Sequence, residues 1–316
     1  MDIHTKRNLE LTETLREKNK RGSLLWVLDH TRTAMGARLL RSLIEQPLID
    51  EKEINRRLDA VEEMTGRIMD RDEIREYLTA VYDLERLLCK ISYGSANPRD
   101  LVALKSSLKM MAPVRNLLMD FNSDILRELS EKIDSLEDIY GLIDAAIVDD
   151  PPLAQKEGGI IKDGFNETVD ELKSAGRNGK KWLADLEERE REKTGIKNLK
   201  VKFSKVFGYS IEVTNSYLSL VPKDYVRKQT LAGGERYITD ELKKMEDTIL
   251  NAEDRLTSLE YEIFSQVRNT IGESIERILE TAKAVAMVDV LQSLSYVLIA
   301  VGLYTYLIYI VWGCSR

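Results

Sequence analysis

The feature that most constrains this chain is a segment from Thr239 to Tyr296 that contains no proline and one glycine, Gly272. Apolar residues recur along it mostly at steps of three, four or seven, which places them on one side of an α-helix. Because nothing in the segment breaks a helix, the pattern predicts a single helix on the order of 85 Å long at 1.5 Å per residue.

A second long helix is predicted upstream, from Asn166 to Lys193, where sparse apolar residues stand among many charges. Between the two helices the period changes to two. Apolar and polar residues alternate over 199–204 and again over 209–213, which predicts a β-hairpin. The stretch 217–237 contains proline and a Gly-Gly pair and is expected to be irregular. Since a short insertion has to return the chain, the two long helices are expected to run antiparallel with the β structure at their tip.

The N-terminal part consists of shorter amphipathic stretches that predict a compact helical bundle. The expected fold class is therefore mainly α, with a multihelical core, two long antiparallel helices and a small β insertion. The segments predicted along the chain are a helical core (1–125), a core return with the first long helix (126–196), the β insertion (197–240), the second long helix (241–297) and an apolar tail (298–316).

Charge is distributed unevenly over these segments. The β insertion, 197–240, contains eight basic and four acidic residues, which is a net charge of +4. Since the whole chain has a net charge of −7, the remaining residues have a net charge of −11. A basic end on an acidic arm is suited to holding a polyanion at that end only. The alternative is that the lysines simply keep an exposed hairpin edge soluble.

The sequence contains no pattern that indicates catalysis or metal binding. Its two cysteines, Cys89 and Cys314, exclude a disulfide scaffold and a CxxC site, and Cys89 is expected to be buried as a small apolar residue. The two histidines have no partners at metal-ligand spacing, and no segment matches GxxxxGK[ST]. A polar N-terminus without a secretory signal favours a reducing, cytoplasmic setting.

Several short motifs, taken together and in order, resemble the core domain of MutS-type mismatch-repair proteins. The most distinctive is Thr31-Arg32-Thr33-Ala34-Met35-Gly36-Ala37-Arg38-Leu39-Leu40. The other matching segments are 4–11, 22–25, 28–29, 83–86, 97–101, 187–197, 229–231, 235–239 and 241–243. The resemblance implies a helical core, two lever helices and a β clamp inserted at the lever tip.

The resemblance also implies a function. In the family, two such arms from a dimer close around double-stranded DNA, and the clamp touches the phosphate backbone without reading bases. Positions 232 and 233 carry polar or basic residues in many relatives, so here backbone N–H groups would have to serve. Carried over by position, the expected DNA-binding residues are Lys202, Ser204, Lys205, Arg227, Lys228, Gln229, Thr230, Ala232, Gly233 and Gly234.

The chain departs from the family pattern at both ends. The mismatch-reading, connector and ATPase domains are expected to be absent, so we expect a non-enzyme without the family's ATP and magnesium site. The apolar segment 298–316, in which Arg316 is the one charged residue, is predicted either to span a membrane or to be the out-of-frame end of a broken gene. Besides DNA binding, two alternatives stay open: a helical interaction protein that pairs with a full MutS-type subunit or a separately encoded ATPase half, and a non-functional truncated product.

Overall fold

The computed structural model describes residues 3–153, 157–204 and 206–313. These residues are mainly helical and contain a four-stranded sheet, which confirms the expected fold class. The chain divides into two compact units. Unit 1 comprises Met1–Leu153 and Ser265–Arg316, and unit 2 comprises Ala154–Phe264.

Unit 1 is a helical bundle arranged around its C-terminal helix. Its first ten helices are α1 (Ile3–Asn8), α2 (Leu24–Leu28), α3 (Ala34–Glu45), α4 (Glu51–Gly66), α5 (Ile68–Thr79), α6 (Leu84–Ser92), α7 (Pro98–Leu108), α8 (Met111–Met119), α9 (Asp124–Lys132) and α10 (Glu137–Ala146). The C-terminal helix α13 (Ile275–Gly313) packs against α2 to α6 and α9. Because it is surrounded, α13 buries apolar side chains at helical spacing, namely Ile278, Ala282, Val285, Val288 and Leu291.

A buried carboxylate ties α13 to the most distinctive sequence motif. Asp289 is 0% exposed and accepts hydrogen bonds from the backbone N–H groups of Arg32 (2.9 Å) and Thr33 (2.8 Å) and from the Thr33 hydroxyl (2.6 Å). The Gln292 amide donates to the same carboxylate at 2.7 Å. A Cβ at position 36 would overlap Asp289, so Gly36 is required for this approach. The motif therefore serves the fold, by holding the start of α3 against α13.

The prediction of one uninterrupted helix from 241 to 297 is wrong in one respect. Helix α12 (Asp240–Glu273) ends before Ser274, and α13 begins at the next residue. The backbone N–H of Ser274 bonds to the Ile271 carbonyl, which is a tighter turn than the α-helical pattern. Glycine and serine together, here Gly272 and Ser274, are a common cause of such interruptions.

Unit 2 contains two long antiparallel helical segments, α11 (Glu167–Thr194) and the part of α12 up to Phe264. The antiparallel direction follows from the ion pairs, because Lys180 meets Glu253 at 3.8 Å whereas Arg189 meets Glu241 at 2.6 Å. The helices approach closely at Gly179, where a Cβ would stand 2.5 Å from Ile249 Cγ1. This confirms the predicted antiparallel pair, and α11 extends about 42 Å at 1.5 Å per residue.

A second buried carboxylate closes the start of unit 2 onto its end. Glu260 of α12 is 0% exposed and accepts hydrogen bonds from the backbone N–H groups of Gly159 (2.5 Å), Ile160 (3.4 Å) and Ile161 (3.5 Å). Lys173 of α11 stands 3.9 Å from the same carboxylate. The loop at the start of unit 2, which contains residues 159–161, is thus bound to α12 near the end of the unit.

Two other expectations have definite outcomes. Cys89, expected to be buried, is exposed, because it lies on the outer side of amphipathic α6. Among the described residues, the stretch Ile275–Ala300 is long and apolar enough to cross a membrane, but 67% of its most apolar window is buried inside unit 1, as in a core helix. The backbone of α13 is described as far as Gly313. Most of the side chains in 298–316, on which the membrane prediction depends, lie outside the described part of the chain.

Candidate nucleic-acid interface

The sheet of unit 2 has four antiparallel strands in the order β1-β2-β4-β3. The strands are β1 (Lys200–Ser204), β2 (Gly208–Thr214), β3 (Val226–Leu231) and β4 (Gly234–Ile238), with a 3₁₀ helix (Asn215–Leu220) after β2. The predicted hairpin is confirmed as β1 and β2. The expectation that 217–237 is irregular is wrong, because it contains β3 and most of β4. The signal was present as two short runs joined by Ala232-Gly233, a two-residue hairpin connection.

One face of the sheet forms an apolar core with the end of α11 and the start of α12. The buried members of this core are Leu183, Leu186, Ile196, Leu199, Ile211, Val213, Tyr225, Tyr237, Leu242 and Ile249. The Tyr225 hydroxyl donates to the Glu190 carboxylate of α11 at 2.7 Å. Burial, with this hydrogen bond, raises the pKa of Tyr225 well above its usual range, so the phenol stays protonated. The sheet is therefore anchored to both helices.

The opposite face carries a row of polar side chains that crosses all four strands. Lys202 of β1 pairs with Glu212 of β2 at 2.6 Å, and Glu212 pairs with Arg236 of β4 at 2.7 Å. Arg236 in turn donates to the side-chain oxygen of Gln229 on β3 at 2.9 Å. Since neighbouring strands lie about 4.8 Å apart, the row spans roughly 14 Å. We call these four residues the polar row.

Burial and charge differ along the polar row. The Lys202 side chain is 53% exposed, whereas Glu212 and Arg236 are 17% and 19% exposed. Burial alone would raise the pKa of Glu212, but hydrogen bonds from Lys202 and Arg236 outweigh it and hold that pKa below its usual value. Glu212 is therefore ionised at neutral pH, and the row has a net positive charge.

The predicted residues of β3 are divided between the two faces. Gln229 lies opposite Arg236 and joins the polar row, but Arg227 and Thr230 lie opposite Tyr237 and Glu235 on the other face. Arg227 forms an ion pair with Glu235 at 3.3 Å. Arg227 and Thr230 are both exposed, but they do not lie on the same face as Lys202.

Lys228 has a separate position because the strand bulges there. The register shifts between Arg227 and Gln229, which leaves Lys228 without a partner residue on β4. Its ammonium group donates to the carbonyl oxygen of Phe207 in the β1–β2 turn. Because of the bulge, exposed Lys228 does not follow the alternation of side chains along β3. It lies near the end of the sheet that contains the β1–β2 turn.

The turn between β3 and β4 borders a cavity of about 380 Å³. Three of the predicted residues, Lys202, Gly233 and Gly234, line this cavity. The other lining residues are Asn198, Lys200, Glu212, Val213, Thr214, Leu231 and Glu235. Ala232 and Gly233 are exposed. Gly234 is buried, and a Cβ there would overlap the Val213 carbonyl oxygen, so this glycine allows β4 to approach β2.

The two remaining predicted residues follow Lys202. Ser204 is half-buried and lies opposite Gly208 at the end of β1. Lys205 lies outside the described residues. Of the predicted residues, Lys202 and Gln229 belong to the polar row, while Lys202, Gly233 and Gly234 share the cavity. The transfer by position missed Glu212 and Arg236, although strict alternation along β2 and β4 could have placed both on one face.

Comparisons with known proteins identify the family of this chain. The family model described as MutS domain III matches residues 4–295, which is most of the chain. The chain belongs to the MutS domain III family. Over 297 residues it is 59% identical to the DNA mismatch repair protein MutS of Lachnoclostridium phytofermentans, a match covering 94% of this chain and 32% of that protein. The corresponding protein of Acetivibrio thermocellus is also 59% identical, with 94% and 34% covered.

A more distant relative gives the same coverage. The DNA mismatch repair protein MutS of Clostridium novyi is 52% identical over 298 residues, covering 94% of this chain and 33% of that protein. The chain thus spans about a third of the length of the curated relatives that it matches.

Within the described residues no group of three or more His, Cys, Asp or Glu side chains is placed to hold a metal ion.

Proposed function

We propose that this MutS-type core domain binds double-stranded DNA, including mismatched duplexes, through the phosphate backbone and by way of the sheet of unit 2, its clamp. The observation that supports this most is the polar row, because it places Lys202, a half-exposed cation, and the cation Arg236 on one face of the sheet. Side chains of this kind contact phosphate oxygens without reading sequence.

The arrangement of charge supports backbone contact over base readout. The polar row lies on four strands of the sheet, so extended strands rather than a helix would meet the DNA. Its exposed side chains there are flexible or basic, and the segment 197–240 has a net charge of +4, from eight basic and four acidic residues. Binding of this type is expected to be weak, independent of sequence and strongly dependent on salt.

We also propose that binding occurs without ATP or magnesium in this chain, because no GxxxxGK[ST] segment is present in the sequence. The partners proposed are double-stranded DNA and a MutS-type subunit or a separately encoded ATPase half. The proposed location is the cytoplasm.

The proposal is tested with the full chain and a fluorescein-labelled 30-base-pair duplex, by anisotropy titration between 50 and 200 mM NaCl. Replacing Lys200, Lys202 and Lys228 together by alanine should weaken binding, since Lys200 is exposed on the same face as Lys202. It should also reduce the slope of log affinity against log salt by about 0.9 for each phosphate that the variant no longer neutralises. A duplex with one mismatch should bind as tightly as a perfect one.

The matched control is Lys180→Ala, which removes an exposed lysine from α11 of the same unit, outside the sheet. It should change affinity less than two-fold. If the triple variant binds with the affinity and salt slope of the unchanged chain, the sheet is not the DNA-binding surface. If the unchanged chain does not bind at 50 mM NaCl, the proposed function is wrong.

A further inference from the structure

Glu212 occupies the centre of the polar row and serves two cations with one carboxylate. Its Oε2 accepts from Lys202 Nζ at 2.6 Å, while its Oε1 accepts from Arg236 Nε at 2.9 Å and Nη2 at 2.7 Å. Both cations therefore donate to Glu212 with N–H groups that could otherwise donate to a phosphate oxygen.

The two cations differ in how easily they can change partner. Lys202 is 53% exposed on edge strand β1, so its ammonium group can leave Glu212 and reach solvent without any change in the sheet. Arg236 is 19% exposed on an inner strand and is fixed by bonds to both Glu212 and Gln229. Arg236 thus remains to neutralise Glu212 when Lys202 moves.

From this difference we infer that Glu212 is a positioning residue that limits the affinity of the clamp for phosphate, with Lys202 as the exchangeable cation and Arg236 as the fixed counter-ion. Glu212 holds Lys202 near the face and competes with phosphate oxygens for it. This inference rests on the proposed function, because it concerns the same surface and the same ligand class, the phosphodiester backbone.

The inference makes opposite predictions for the two partners in the Glu212–Arg236 ion pair. Removing the carboxylate charge with Glu212→Gln frees Lys202 and should tighten duplex binding three- to ten-fold at 100 mM NaCl. Removing the counter-ion with Arg236→Gln leaves Glu212 uncompensated beside the phosphates and should weaken binding at least three-fold. In the double variant, Glu212→Gln with Arg236→Gln, affinity should return to within two-fold of the unchanged chain.

Lys202 gives the readout that a merely structural role would not change. In a Lys202→Met background Glu212 has lost the ammonium group with which it is paired, so Glu212→Gln should alter affinity less than two-fold. The matched control is Glu171→Gln, which removes the same charge from an exposed site on α11, roughly 35 Å along the helix from the sheet at 1.5 Å per residue. It should leave affinity within two-fold.

All variants are compared by the same anisotropy titration, with a thermal melt of each protein to verify folding. If Glu212→Gln fails to fold, Glu212→Thr replaces it, since threonine suits a strand and also lacks the charge. The inference is overturned if the folded variant binds no more tightly than the unchanged chain, or if it tightens equally in the Lys202→Met background. Either result leaves the proposed function standing, whereas failure of the unchanged chain to bind overturns both.

Discussion

Unit 1 and unit 2 each contain a carboxylate at the centre of a hydrogen-bond network, and the two networks differ in what surrounds them. Asp289 of unit 1 is 0% exposed and accepts from two backbone N–H groups, a hydroxyl and an amide. Glu212 of unit 2 is 17% exposed and accepts from two cationic side chains, one of them half in solvent.

The difference shows how burial decides what a charged residue is suited to do. The donors to Asp289 are held in place, because two belong to the backbone and the other two are the buried side chains of Thr33 and Gln292, so the network specifies how α3 meets α13. Lys202 can leave Glu212 at little cost, since an exposed ion pair contributes only about 0–1 kcal/mol. The buried network is suited to fold, and the accessible one to reversible binding.

The largest effect is expected from Asp289→Ala. This change leaves the buried N–H and hydroxyl groups of Thr33 and the buried Gln292 amide without their acceptor, so the free energy of unfolding should fall by about 3–5 kcal/mol. Urea denaturation followed by circular dichroism measures it. Asp59→Ala on the exposed side of α4 is the control and should cost less than about 0.5 kcal/mol. Equal effects at both positions would contradict the structural role assigned to Asp289.

An intermediate effect is expected from Tyr225→Phe, because Glu190 is 5% exposed and loses its buried phenol donor. The free energy of unfolding of unit 2 should fall by about 1–2 kcal/mol. Hydrogen exchange of the β2 and β4 amides reports this local loss. An unchanged exchange rate in these strands would show that the Tyr225–Glu190 bond does not anchor the sheet.

The smallest effect on stability is expected from Glu212→Gln, about 1 kcal/mol at pH 7, because the glutamine oxygen can still accept from Arg236. The folded-state pKa of Glu212 is lowered, so its stabilising contribution is present above the ordinary glutamate value near 4.5 and is lost as pH falls below it. Variant and unchanged chain should therefore differ slightly at pH 7 and converge at lower pH in urea titrations. A gap that widens toward low pH would mean that the sign is wrong.

Much of the fold was predictable because long-range periodicity survives in the sequence. The long helices and the first hairpin follow from apolar spacing, and the antiparallel direction of the helices follows from the short insertion between them. The break at Ser274 was not predicted, since a single glycine is tolerated within a helix and the apolar period continues across it. Strands β3 and β4 were missed because Pro222 and Gly233-Gly234 made the stretch resemble a loop.

The candidate site was harder to predict than the fold. Transfer by position supplied Lys202 and Gln229 but could not reveal that Glu212 and Arg236 connect them, because that depends on the strand order β1-β2-β4-β3. It also named both Lys202 and Arg227 as DNA contacts but could not show that the strand register puts them on opposite faces. Cross-strand neighbours are a property of register, and register is not written in local composition.

The contact between Glu260 and the amides of Gly159, Ile160 and Ile161 has a practical consequence for this chain. It brings the first and last parts of unit 2 together at a distance that a few residues could bridge. Segments with adjoining ends can be excised, grafted into another scaffold or circularly permuted with little loss of structure. Residues 157–264, with their ends linked, should therefore fold as a portable module.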